Sequence, residues 1–209
     1  LIRRALQAYE QLYGPSDEHT VNVVWGLAAT LAEQGKDDEA EPLYRRELQG
    51  YEQLWGPSDE RTIDAVWKLA DTLAKQGKDD EAEPLYRRAL QGFEQLCGPS
   101  DERTVNMVDM LAATLAKQGK HGEAEPLIRR ALQAYEQLYG PSDEHTVNVV
   151  WGLAATLAEQ GKDDEAEPLY RRELQGYEQL WGPSDERTID AVWKLADTLA
   201  KQGKDDEAE

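Results

Sequence analysis

The pentapeptide Gly-Pro-Ser-Asp-Glu begins at Gly14, Gly56, Gly98, Gly140 and Gly182, so the chain repeats itself every 42 residues. Self-similarity at such a period is the mark of stacked supersecondary units, each touching its neighbours, and not of a globule around one centre. A longer period lies on top: residues 1–83 are identical to residues 127–209, so the units run A, B, C, A, B. Identity over that length points to recent duplication, gene conversion or deliberate construction, which sequence alone does not separate. On this frame 1–209 is a single repeat array. Residues 1–13 are a partial second helix, 14–55, 56–97, 98–139 and 140–181 are full repeats, and 182–209 is truncated, lacking nearly all of its second helix.

Each unit predicts two helices. In the second, Ser58 is the expected N-cap, with Asp59 and Glu60 in the first turn, where carboxylates suit the positive end of the helix dipole. Ile63, Val66, Leu69, Ala70 and Leu73 then recur at helical spacing. Gly77 is the expected left-handed stop. The next helix opens at Asp79-Asp80-Glu81, Asp80 and Glu83 having the spacing of a capping box, with Pro84 tolerated in the first turns. Ala82, Leu85, Tyr86, Ala89, Leu90, Phe93 and Leu96 form its apolar stripe, ended by Gly98-Pro99. Gly50 and Gly92 stand where another unit has Ala134, which suggests close helix packing. The expectation is an all-α array of antiparallel hairpins.

Charge and composition narrow the function. With 23 Lys and Arg against 42 Asp and Glu the net charge is −19, a surface that repels a phosphate backbone and argues against nucleic acid as partner. No apolar run approaches the roughly 18 residues of a membrane span. The single cysteine, Cys97, allows no disulfide framework, and a reducing, cytoplasmic setting follows as the default. Glycine-rich phosphate loops, nucleophile elbows and metal-ligand pairs do not occur, so a non-catalytic protein without cofactor or metal is expected.

The pattern of Val66, Leu69, Ala70, Leu73, Ala82 and Tyr86, with Gln76-Gly77 at the turn, resembles the tetratricopeptide repeat. The stretch 74–90, Ala-Lys-Gln-Gly-Lys-Asp-Asp-Glu-Ala-Glu-Pro-Leu-Tyr-Arg-Arg-Ala-Leu, together with the Gly-Pro linker and the 42-residue period, is similar to the kinesin light chain type of that repeat. The resemblance implies a right-handed α-solenoid whose first helices line a concave groove, and a protein–protein interaction scaffold taking a peptide or protein ligand. Similar arrays also stand behind the nucleotide-binding domain of NB-ARC-type signalling ATPases. A structural or autoinhibitory sensor array in a larger ATPase is therefore one alternative, and an engineered array without natural ligand is another. Where kinesin light chain repeats carry an Asn pair before the Leu-Ala of the first helix, this chain has Trp25-Gly26, Trp67-Lys68, Asp109-Met110, Trp151-Gly152 and Trp193-Lys194.

Differences between the units point to the ligand-facing side. At roughly 100° per residue, the clear first-helix changes, all except Val23/Ala65/Met107, fall within one stripe about 100° wide, opposite the constant apolar face. The candidate binding residues on it are Asn22, Trp25, Ala29, Glu33, Asp64, Trp67, Lys68, Asp71, Lys75, Asn106, Asp109, Met110 and Lys117, with the copies Asn148, Trp151, Glu159, Asp190, Trp193, Lys194, Asp197 and Lys201. The repeated Trp either packs between repeats or offers an aromatic face to a ligand, and Asp109 in its place in one unit favours some exposure. Asp64, Asp71 and Asp109 favour a ligand bearing Arg or Lys.

Elsewhere the residues read as structural. His19, His121 and His145 are expected on solvated surface, and Cys97 is expected to be a small apolar filler. Arg45-Arg46 and their copies are expected to reach the repeated acids as ion pairs. The cut ends suggest head-to-tail self-association: the apolar face of 187–202 lacks a covering helix and 1–13 is a helix without its own partner.

Overall fold

The computed structural model describes residues 1–204. Its described elements are α1 (Ile2–Tyr13), α2 (Glu18–Glu33), α3 (Asp37–Trp55), α4 (Glu60–Lys75), α5 (Asp79–Cys97), α6 (Glu102–Lys117), α7 (His121–Leu138), α8 (Glu144–Glu159), α9 (Asp163–Trp181) and α10 (Glu186–Lys201), all helical. The acidic start expected for the second helix of the truncated repeat, 205–209, lies outside the described residues. The chain divides into two compact units, Leu1–Met107 and Val108–Glu209. In the first, α1 packs on α2, α2 on α3, α3 on α4 and α4 on α5; in the second, α7 packs on α8, α8 on α9 and α9 on α10.

The expected apolar face is the core. Val24, Leu27, Ala28 and Leu31 of α2 and Val66, Leu69, Ala70 and Leu73 of α4 are buried, as are Val150, Leu153, Ala154 and Leu157 of α8. The second helices contribute Ala40 and Tyr44, or Ala82, Tyr86 and Phe93. Helices are close where a side chain is missing: a Cβ on Gly50 would stand 2.5 Å from Val21 Cγ2, and one on Gly92 2.5 Å from Ile63 Cδ1.

Two details of the helix ends differ from expectation. The N-cap of α4 is Asp59, not Ser58: its backbone is extended (φ −69°, ψ 143°) and its side chain accepts the Arg61 N–H. Asp17, Asp143 and Asp185 do the same for α2, α8 and α10. Asp80 does not cap α5 as the spacing with Glu83 suggested, because the helix already starts at Asp79 with Lys78, which has no capping side chain, as its N-cap. Lys78 is bound into the preceding stop, its N–H donating to Leu73 O (2.9 Å) while Gly77 N–H donates to Ala74 O (3.1 Å) at φ +73°. That is the Schellman pattern, and the acids that follow serve the dipole. In the linkers, Thr62 Oγ1 donates to Gly56 O and Thr104 Oγ1 to Gly98 O, each at 2.8 Å, tying the helix start to the glycine before the proline.

The arginine pairs join successive second helices as expected. Arg45 bonds Glu41 one turn back (2.9 Å) and Glu81 on α5 (2.7 Å), and Arg46 reaches Glu10 on α1 (2.6 Å). In the second unit Arg129 pairs with Glu125 and Glu165, and Arg172 with Glu136. These are exposed pairs, each worth little alone but connected into a network.

Candidate functional site

In both A-type repeats the variable stripe forms one constellation. Tyr51 on α3 donates its O–H to Asn22 Oδ1 on α2 (2.9 Å), and Lys68 on α4 lies over the Trp25 ring with Nζ 5.0 Å from its centroid. Tyr177 and Asn148 repeat the hydrogen bond at 2.9 Å, and Lys194 lies 4.8 Å over Trp151. The Trp alternative therefore ends between its two readings: Trp25 is 42% and Trp151 41% exposed, each with a lysine ammonium over one face. Trp67 is half-buried and Trp193 is 72% exposed.

Within the second unit this surface deepens into a cavity of about 630 Å³. Its walls come from first helices and include the expected Asp109 and Lys117 on α6, Asn148, Trp151 and Glu159 on α8, and Asp190 and Lys194 on α10. Its floor is made by second helices, with Ile128 of α7 and Glu173 and Tyr177 of α9. Outside that cavity, Glu33 is exposed and Ala29, Asn106 and Met110 are half-buried. Asp71 pairs with Lys75 at 2.7 Å, and Asp197 with Lys201 at 2.8 Å.

The second helices hold residues that reading the first helices did not find, Glu173 on this floor and its copy Glu47 in the first unit. Glu47 and Glu173 are 0% and 1% exposed, and none of their carboxylate oxygens has a hydrogen-bond partner. Burial pushes both carboxyls up to about 7; Lys68 and Lys194 oppose this, and Asp64 and Asp190 add to it. Asp64 is raised by burial, and Asp109 is raised to about 6 by burial against the opposing charge of His145. The signal was present in the repeats: units B and C have Ala89 and Ala131 where the A copies have Glu.

Two readings are corrected. His121 is half-buried, lines the cavity and has Nδ1 without a partner. Cys97 fills no apolar slot: it is half-exposed, and Arg103 donates to its Sγ at 2.8 Å. His19 and His145 are exposed as expected, and each also stacks on or tilts against a tyrosine, Tyr13 at 5.4 Å and Tyr139 at 5.2 Å. Where the ring is Trp55 or Trp181, the residue six positions on is Arg61 or Arg187, with the guanidinium 3.2 and 3.3 Å from the ring centroid. The helix-start variation thus follows its aromatic neighbour, Tyr with His and Trp with Arg, a cation–π or stacking contact at the linker. Among the described residues no cluster of three or more His, Cys, Asp or Glu is arranged to hold a metal ion.

Models of the tetratricopeptide repeat match residues 26–59, 62–137, 104–179 and 146–209, and the chain belongs to that family. No curated protein matches the sequence. Among solved structures it is similar to BtubC (BKLC) from P. vanneervenii, at 20% identity and a TM-score of 0.76 over 99% of this chain and 81% of that one. A Podosopora anserina protein described as a kinesin light chain with nearly identical TPR-like repeats has 16% identity and a TM-score of 0.76 over 93% and 90%. MamA from Desulfovibrio magneticus RS-1 has 12% identity and a TM-score of 0.70 over 90% and 88%. The fold is thus a solenoid of TPR type, a scaffold class that typically mediates protein–protein interaction and is generally non-catalytic. No described helix is long and apolar enough to cross a membrane.

Proposed function

We propose that the chain is an interaction scaffold whose first-helix faces bind a peptide or protein segment, with Trp25, Trp67, Trp151 and Trp193 as apolar anchors. The observation that carries this is the 630 Å³ cavity of the second unit, which gathers Asp109, Asn148, Trp151, Asp190 and Lys194 around one aromatic wall. A half-exposed Trp edged by carboxylates suits a ligand bearing Arg or Lys beside apolar groups. The test is selection of binders from a displayed library of random peptides, followed by affinity measurement on Trp25→Ala/Trp151→Ala with helicity checked. A loss of about tenfold or more is expected, as for other interfacial Trp anchors. Unchanged affinity in a folded variant overturns the groove assignment.

A second reading is head-to-tail association of this polypeptide with a second copy. Ile189 and Val192 of α10 are 47% and 48% exposed, whereas Ile63 and Val66, at the same places in α4, are 2% and 0% exposed beneath α5. Ile2 of α1 is 36% exposed where Tyr44 and Tyr86 are buried, so α1 of one copy has an apolar face to lay on α10 of the next. Such a contact does not close and generates open chains. Light scattering is expected to show a mass rising with concentration, and a constant monomer mass rejects this reading.

A further inference from the structure

Packing alone does not require a carboxylate on the floor of the groove. At the place of Glu47 and Glu173, units B and C carry Ala89 and Ala131, each fully buried, so alanine satisfies the same position in the same repeat. The A copies add a charged group, bury it and leave both oxygens without a hydrogen bond. A buried polar group left unsatisfied is costly and rare in native structures, and it calls for an explanation.

The surroundings fit a cation. Glu173 lies at the bottom of the cavity, Tyr177 stands one turn further along α9, and the half-exposed ring of Trp151 forms part of the wall. Lys117, His121 and Arg187 also line the cavity, but the basic groups whose charge acts on the buried carboxyls are Lys194 and Lys68, and the two identical sequences hold them differently. Lys68 Nζ is 4.0 Å from Glu47 Oε1, too far for a hydrogen bond, whereas Lys194 is paired with Asp190. The lysine therefore has an alternative carboxylate to hold when it leaves the buried one.

We infer that Glu173 forms the floor of a subsite for the guanidinium of an arginine side chain, which pairs with the carboxylate while lying against Trp151. The inference rests on the groove reading above and adds residues of the second helices to it. A guanidinium is the suited cation because it is planar, presents parallel donors to both oxygens of a carboxylate, and stacks on an indole face. Asp109 and Asp190 are further carboxyls on the cavity walls.

The experiment uses the full chain with 13C-labelled glutamate side chains and 15N-labelled tryptophan, titrated with n-butylguanidinium. Butylurea and sodium chloride serve as the uncharged and ionic controls. A saturable shift of the Glu173 carboxyl and the Trp151 indole is expected, with neither control reproducing it. Glu173→Ala, which installs the residue of the other repeats, is expected to weaken the Trp151 response at least tenfold while the helical spectrum is unchanged. A response equal in Glu173→Ala, or matched by butylurea, overturns the subsite. Failure of this titration with display-selected peptides still lost on Trp25→Ala/Trp151→Ala removes the subsite and leaves the groove. The reverse result, Glu173 titrating but peptides indifferent to the tryptophans, removes the groove and keeps the cation site.

Discussion

Glu47→Ala combined with Glu173→Ala is expected to stabilise the folded chain above pH 7 and to leave it nearly unchanged at pH 4. Each carboxyl is pushed by burial from 4.5 up to about 7. Because the folded-state value is raised, both states are protonated below about pH 4.5 and the group carries no electrostatic penalty there. Between pH 4.5 and 7 the unfolded chain ionises first, so stability falls as pH rises through that window. Above pH 7 the whole penalty is present. At about 1.4 kcal/mol per pH unit, the rise from 4.5 to about 7, which already includes the opposing charges of Lys68 and Lys194, corresponds to roughly 3 kcal/mol for each site. Alanine removes the penalty and gains slightly in helix propensity, against a small loss of packing that is visible on its own at pH 4. Urea midpoints of the parent and the double variant across pH 4–8 check this. Other groups titrate too: Glu125, held down to about 2 by Lys162, Gln160 and Arg129, works in the opposite direction, but it is common to both proteins and cancels in the difference. Parallel pH curves for the two proteins would show that these carboxylates carry no such penalty.

The same carboxylates mark the limit of what the sequence made legible. Helix number, the face that packs and the glycine stops followed from spacing and from the constancy of Val66, Leu69, Ala70 and Leu73, because burial on both sides leaves such positions little freedom. The helix starts were displaced by one residue, since Asp59 and not Ser58 takes the extended backbone that a cap needs. On the first helices the variable stripe does converge, with Asp109, Asn148, Trp151, Asp190 and Lys194 meeting in one cavity. Its floor was not legible from that stripe. Glu47 differs from Ala89 by a charge that, on a second helix, looks like surface variation until α2, α3 and α4 are assembled around it. The Tyr13–His19 and Trp55–Arg61 contacts were hidden for a related reason. Each residue alone is an exposed polar or linker residue, and only their joint change from repeat to repeat carries the information.

Ile63→Ala is expected to cost about 2–5 kcal/mol of folding free energy and Ile189→Ala less than about 1 kcal/mol. The comparison is unusually controlled, because α4 and α10 have the same sequence, Glu60–Lys75 repeated as Glu186–Lys201. Intrinsic helix propensity, capping by Asp59 or Asp185 and neighbouring side chains along the helix are therefore the same in both variants. What differs is cover: Ile63 is 2% exposed, with its Cδ1 against the backbone of Gly92 in α5, and Ile189 is 47% exposed. Removing Ile63 deletes buried apolar surface and leaves a space that two close helices can only partly fill, whereas removing Ile189 uncovers little that water did not already reach. Chemical denaturation of the two variants at low protein concentration checks the difference. Equal costs would mean that the stability of these hairpins resides within each helix and not between repeats. If copies associate head to tail, the contrast acquires a concentration dependence, since Ile189 then becomes a buried residue and its replacement by alanine should cost more as the protein is concentrated, while the cost at Ile63 stays constant.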